Sequence, residues 1–192
     1  MQEILQSFIL LLVIMDPLVS MSVMLSLIKK NDGDKIRKIA FKAVMVAAIV
    51  FFIFAIGGDT ALKILGVDLD SFKVAGGIVL TLLGIQMVLG ISFKKEERQD
   101  LSEIAVVIGT PIITGPATIA TSIILLKEEG MVSTLIAGTA ALIVVLLSLL
   151  LVRPITNLLG ESGMKVLSTM MGIVTIAWGV QFILSGVLAY LA

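Results

Sequence analysis

The sequence predicts an all-α membrane protein of six transmembrane helices, arranged as two inverted three-helix repeats, with spans 1 and 4 broken near the midplane. Three observations lead there. Of 192 residues, 58% are hydrophobic and the mean hydropathy is +1.16, which leaves too few polar residues to cover a water-soluble domain of this size. Charges fall in short clusters between long apolar runs, and the stretch from Val166 to Ala192 carries none. Finally, the second half of the chain resembles the first.

The apolar runs give the elements in order: Ile4–Ile28, Ile39–Gly58, Val74–Phe93, Ile104–Leu126, Met131–Val152 and Val166–Tyr190. Each meets the roughly 20 residues needed to cross about 30 Å of hydrocarbon. The first run is too long for a cleaved leader and has neither a basic start nor a small-residue cleavage site, so it is read as a retained span. The connecting loops are short, which leaves no room for a soluble catalytic domain.

Lysine and arginine set the orientation. Lys29, Lys30, Lys35, Arg37, Lys38, Lys42, Lys94, Lys95, Arg98, Arg153 and Lys165 fall on one side, against Lys63, Lys73 and Lys127 on the other. This places loops one, three and five in the cytoplasm and both termini outside. Tyr190 then lies at the outer interface.

The repeat is visible in two places. Setting `DPLVSMSVMLS` (16–26) over `TPIITGPATIA` (110–120) pairs Pro17 with Pro111, Ser20 with Thr114 and Ser22 with Pro116. Further on, `GIVLTLLGIQMVL` (77–89) and `GIVTIAWGVQFIL` (172–184) share 6 of 13 positions. The informative matches are Gly77 with Gly172, Gly84 with Gly179 and Gln86 with Gln181, because apolar identities come easily in this composition. The chain therefore reads as a single transmembrane domain, 1–192, with repeat one at 1–93, a cytoplasmic linker at 94–102 and repeat two at 103–192. Three spans per repeat is an odd number, so the halves cross the membrane in opposite directions. Secondary transporters use this plan and place their sites at the repeat interface, often at discontinuous helices. A duplicated scaffold without transport is the plainer alternative.

Asp16 is the only acid deep inside a span. It lies twelve residues from either end of its run, about 18 Å at 1.5 Å per residue. Intramembrane carboxylates cost at least ~2.5 kcal/mol and point to function by default, although an Asp capping the helix behind it would serve structure alone. Pro17 should leave the Val13 carbonyl without its helical partner and bias Asp16 away from helical geometry, with Ser20 and Ser22 available to satisfy freed groups. In the second repeat, `GTPIITGP` (109–116) holds two glycines and two prolines in eight residues. Both first spans are therefore expected to break, each offering a half-helix N-terminus that attracts anions, beside carbonyls and Asp16 that attract a cation. Together these fit a zwitterion. Small or hydroxylated residues nearby (Ser20, Ser22, Gly109, Thr110, Thr114, Gly115, Thr118) favour a small solute.

Gln86 and Gln181 need partners in hydrocarbon, so they either bridge helices or line the path. The glycine pairs, seven residues apart, fit close helix packing. Asp59 and Arg153, offset by 94, are read as interfacial charges, and Trp178 as packing or lipid-facing. With no Cys and no His, disulfides, thiol chemistry and most transition-metal sites are excluded. No metal and no cofactor are expected. Zero net charge gives no nucleic-acid signal, and no Ser/His, His/Glu or paired-Asp constellation suggests an enzyme.

The Asp16–Pro17 element and its Pro111…Gly115–Pro116 echo resemble the MarC family over essentially the whole chain. That family is related to small neutral amino acid transporters and to LysE-type exporters. Its first motif reads Asp-Pro-x-Gly-Asn-x-Pro. Here Asp16 and Pro17 match, while Val19, Ser20 and Ser22 replace Gly, Asn and the second Pro. The resemblance implies uptake or export of glycine- or alanine-sized amino acids coupled to an ion gradient.

The reading is therefore a secondary transporter of glycine-, alanine- or serine-sized neutral amino acids in the cell membrane. Substrate binding falls to Asp16, Ser20, Ser22, Thr110, Thr114, Gly115 and Thr118, and ion coupling to Asp16. Helix breaks fall at Pro17, Pro111 and Pro116, and path lining to Gln86 and Gln181. The partners are a small zwitterionic solute, a proton or sodium ion, membrane lipid and, left open by the sequence, further copies of the chain. The alternatives are a channel or exporter of another small solute or ion, and a nontransporting scaffold.

Overall fold

In a computed structural model, residues 2–27, 33–90 and 108–191 are described. They form seven α-helices and one π-helical segment: α1 (Gln2–Ile14), α2 (Pro17–Leu27), α3 (Gly33–Leu65), α4 (Leu69–Leu89), the π segment (Ile108–Ile113), α5 (Pro116–Glu128), α6 (Met131–Leu150) and α7 (Val152–Leu191). No strand occurs among the described residues.

Among the described residues, five stretches are long and apolar enough to cross a membrane: Gln2–Leu25, Gly33–Gly58, Leu69–Leu89, Met131–Leu150 and Ser162–Leu191. The expected fourth span, Ile104–Leu126, begins outside the described residues. So do the ends of the first and third spans at Ile28 and Phe93, the basic residues Lys29, Lys30, Lys94, Lys95 and Arg98, and the linker 94–102. Several boundaries differ from the expected ones. The second span's helix, α3, runs from Gly33 to Leu65 rather than Ile39 to Gly58, α4 begins at Leu69 rather than Val74, and α7 begins at Val152, well before Val166. Charged residues that end an apolar run need not end a helix, because Lys, Arg and Asp are tolerated on its solvated turns. The helix at 152–165 therefore replaces an expected loop, with a break at Gly160, whose φ of 66° favours glycine.

Many large apolar side chains face outward on these helices, and α3 buries mostly small ones. On α3, Ala40, Ala43, Ala47, Phe51 and Ala55 are buried at helical spacing, while Met45, Ile49 and Ile53 on the other side are exposed. An apolar outer surface of this extent suits lipid.

The closest helix pair is α4 with α7. A Cβ at Gly84 would lie 2.6 Å from the Gly172 carbonyl oxygen, and one at Gly172 would lie 2.8 Å from the Gly84 carbonyl oxygen. Gly77 meets Gly179 in the same way. The two helices thus run antiparallel with backbones in contact, as small residues permit between membrane helices. This is the close packing expected of the matched glycines.

Candidate functional site

The first break follows from two adjacent residues. Pro17 disfavours helical geometry in the residue before it, and Asp is one of the few residues that tolerates positive φ. Asp16 accordingly has φ 38°, and the chain turns there between α1 and α2. One carboxylate oxygen, Oδ1, accepts hydrogen bonds from the Leu18 and Val19 amides, each at 3.1 Å. Asp16 is thus the cap of α2, with a carboxyl oxygen at the positive end of the helix. Its second oxygen, Oδ2, is buried without a partner.

The expectation for Val13 needs correction. Its carbonyl accepts from the Asp16 amide at 3.2 Å. Pro17 has no N–H to offer, but the tightened last turn of α1 lets the preceding amide take its place.

The second break is built differently. Residues Ile108–Ile113 are π-helical, and the Thr114 amide reaches back five residues to the Gly109 carbonyl at 3.1 Å. Pro116 opens α5 at its first position, where a missing N–H costs nothing. The cap residue, Gly115, has no side chain to accept from the first amides. Two hydroxyls support this turn: Thr114 donates to the Ala47 carbonyl of α3 at 3.0 Å, and Thr118 donates to the Ile113 carbonyl at 2.9 Å.

Packing brings the breaks together. The first half of one broken rod lies against the second half of the other, α1 beside α5 and α2 beside the π segment. The two rods therefore run antiparallel with their breaks at one level. From that level α2 and α5 leave in opposite directions, each presenting its N-terminus to the junction. At one end of the bundle, the corner after α5 is tied down. Glu128 pairs with Lys73 of α4 at 2.7 Å, and Glu129 accepts a short hydrogen bond from Ser7 of α1, itself buried.

The expected site residues divide into groups. Asp16, Ser20, Thr114, Gly115 and Thr118 are all buried at the junction or one turn from it. Ser22 is on the exposed face of α2, with its hydroxyl donating to the Leu18 carbonyl at 2.9 Å. Thr110 and Pro111 lie in the π segment, and their side chains, like that of Asp59, are outside the described ones. The hydroxyl protons of Thr114 and Thr118 are committed to carbonyls, so toward a solute they offer only lone pairs. Gln86 is half-buried and Gln181 exposed. The Gly77–Gly179 and Gly84–Gly172 register sets them about eleven residues apart along the helix pair, roughly 16 Å, so they do not bridge to one another. Thr121 was not anticipated: it is fully buried and its hydroxyl has no partner. A hydroxyl inside the apolar run `IATSIILL` was the only sign of it in the sequence. Among the described residues, no group of three or more His, Cys, Asp or Glu could hold a metal ion.

Comparison with known proteins agrees with this outline. The chain matches the model of the MarC family integral membrane proteins over residues 1–191. It is 31% identical to a UPF0056 membrane protein of Buchnera aphidicola subsp. Schizaphis graminum, covering 99% of this chain and 98% of that one. A UPF0056 membrane protein of Archaeoglobus fulgidus is 31% identical, covering 94% and 90%. The UPF0056 inner membrane protein YhgN of Escherichia coli K12 is 27% identical, covering 97% of each chain. No solved structure matches. The chain belongs to the MarC family of integral membrane proteins.

Proposed function

We propose that this MarC-family membrane protein is a secondary transporter of small neutral amino acids of glycine, alanine or serine size, coupled to a proton or sodium gradient. The observation that carries this reading is the free Oδ2 of Asp16, a buried carboxylate oxygen at a helix break set beside a second break. Isolated charge is costly in a membrane interior and occurs where it serves a pathway or a ligand. A carboxylate beside an α5 N-terminus that lacks a side-chain cap suits a solute with both an ammonium and a carboxylate. Ser20, Thr114, Gly115 and Thr118 are small and buried at the junction or one turn from it, which favours a solute with a short side chain.

The same proposal includes six spans in two inverted repeats, both termini outside and a cytoplasmic linker at 94–102. The antiparallel glycine contacts of α4 and α7, and the antiparallel pairing of the two broken rods, support a two-fold relation of this kind. The ties from Glu128 to Lys73 and from Glu129 to Ser7 would then close the outer end. Purified protein in proteoliposomes, given labelled glycine, alanine or serine under imposed proton and sodium gradients, tests the reading. Gradient-dependent uptake of at least one is expected. Failure of all three under either gradient overturns it.

A further inference from the structure

The hydroxyls of the described helices mostly return to their own backbone. Ser22 donates to Leu18, Thr81 to Gly77, Thr134 to Gly130, Ser148 to Val144 and Thr175 to Met171, each four residues back. This is the default for a hydroxyl in an apolar helix, because a buried O–H left unpaired is costly. Ser20 and Thr121 depart from it. Both have zero exposure, and neither Oγ has a partner. Among the described residues the other buried hydroxyl oxygen without a partner, that of Thr156, belongs to a half-buried residue in the first turns of α7.

Position makes the two exceptions meaningful. Ser20 lies four residues beyond Asp16 on α2, and Thr121 lies six beyond Gly115 on α5. These helices leave the junction in opposite directions, so the hydroxyls stand about 6 Å and 9 Å from it along the axis, on opposite sides. Between them is Asp16, whose Oδ2 is also buried and unpaired. Along the bundle axis, one unpaired hydroxyl oxygen thus stands on either side of the free carboxylate oxygen.

We infer that Thr121 and Ser20 are solute-contacting residues that flank Asp16, each presenting a hydroxyl to an ammonium- or hydroxyl-bearing solute as it approaches the carboxylate from one side. This rests on the transporter reading above. It also explains why two buried hydroxyls forgo their local carbonyls: their partner is the solute.

The variants are Thr121→Val and Ser20→Ala, which remove each hydroxyl with little change of shape, and Thr134→Val as a comparison in which a made hydrogen bond is lost. Thermal unfolding in detergent and alanine uptake in proteoliposomes are measured on all three. Replacing an unpaired buried hydroxyl by an apolar isostere should leave Tm unchanged or raised, whereas Thr134→Val should lower it. In the same two variants the KM for alanine should rise about tenfold, as loss of one solute hydrogen bond predicts. Unchanged uptake in both, or a fall in Tm as large as that of Thr134→Val, assigns the hydroxyls to structure and overturns the inference. If the wild type moves none of glycine, alanine and serine, the transporter reading falls and takes this inference with it. Wild-type transport with unaltered variants removes the inference alone.

Discussion

In the first broken rod the helix stops at Ile14 and restarts at Pro17, while in the second it winds through a π segment and restarts only at Pro116. The repeat alignment that pairs Pro17 with Pro111 puts Ser22 opposite Pro116. Proline cannot sit five residues inside an α-helix without breaking it, but it can open one. Where the second proline is present, the helix waits for it; where Ser22 stands instead, α2 begins five residues earlier. The consequence is chemical. The early start makes Asp16 the cap of α2, and the late start leaves Gly115 capping α5 with no side chain. One N-terminus at the junction is closed by an acid and the other is open.

Removing the acid should have the largest effect. Asp16→Ala takes away the acceptor for the Leu18 and Val19 amides and the free carboxylate oxygen at the junction. Uptake should fall to background, and stability should drop by about 1 kcal/mol, the usual value of a cap, since relief of the unpaired Oδ2 offsets part of the loss. Asp16→Asn keeps an acceptor for the amides, so it should unfold near the wild-type temperature while still failing to transport. Wild-type uptake by Asp16→Asn would show that the cap, and not the charge, is what the site needs.

A second proline should make the two breaks alike. Ser22→Pro removes the Ser22 amide from the interior of α2 and should destabilise the fold by about 3 kcal/mol if the helix keeps its present start. If α2 instead restarts at residue 22, as α5 does at Pro116, the penalty is smaller and the Leu18 and Val19 amides lose Asp16. Hydrogen exchange over residues 17–22 separates the outcomes. Faster exchange is expected, and an unchanged pattern would mean that the second proline does not decide where the helix begins.

The converse change closes the open end. Gly115 has φ −78° and ψ −177°, an extended conformation open to any L-residue. Gly115→Asp should therefore cap α5, adding roughly a few tenths of a kcal/mol of stability, and place a second carboxylate at the junction. A raised Tm with lost amino acid uptake is expected. Retained uptake would mean that the solute's carboxylate does not use this end.

Much of this was legible in the sequence because proline, glycine and intramembrane acid act through local geometry. Asp16–Pro17 predicted a break and `TPIITGP` another; Gly77, Gly84, Gly172 and Gly179 predicted close packing, and they meet backbone to backbone. What the sequence hid depends on which way a side chain turns. Ser20 and Ser22 look interchangeable in `LVSMSV`, yet one is buried and unpaired while the other is exposed and bonded to Leu18. Two residues of helix rotate a side chain by about 200°, and only the packed neighbours say which direction is inward. Thr121 and Ser122 pose the same problem: both are buried, but only Ser122 finds a carbonyl, that of Ile119. Helix ends were obscured for another reason, since charged turns prolong α3 and α7 past their apolar runs.

The smallest effect belongs to a cap of the same chemistry at the surface. Asp68 accepts from the Ser71 amide and hydroxyl, each at 2.8 Å, at the start of α4. The Ser71 amide, then its hydroxyl, hold the exposed Asp68 carboxyl below its ordinary value of 3.8. A depressed value in the folded state means that the stabilisation is fully present above pH 3.8 and fades as the pH falls through the folded value beneath it. Asp68→Ala should therefore unfold slightly earlier than wild type at neutral pH, with the gap closing only under acid conditions below about pH 3.8. Water can replace Asp68 at the Ser71 amide and hydroxyl, but of the two amides that Asp16 accepts from, that of Leu18 is buried and that of Val19 partly so. The same substitution should therefore cost more at residue 16 than at residue 68. Equal losses of Tm in the two alanine variants at pH 7 would mean that water reaches the first break as freely as it reaches the surface.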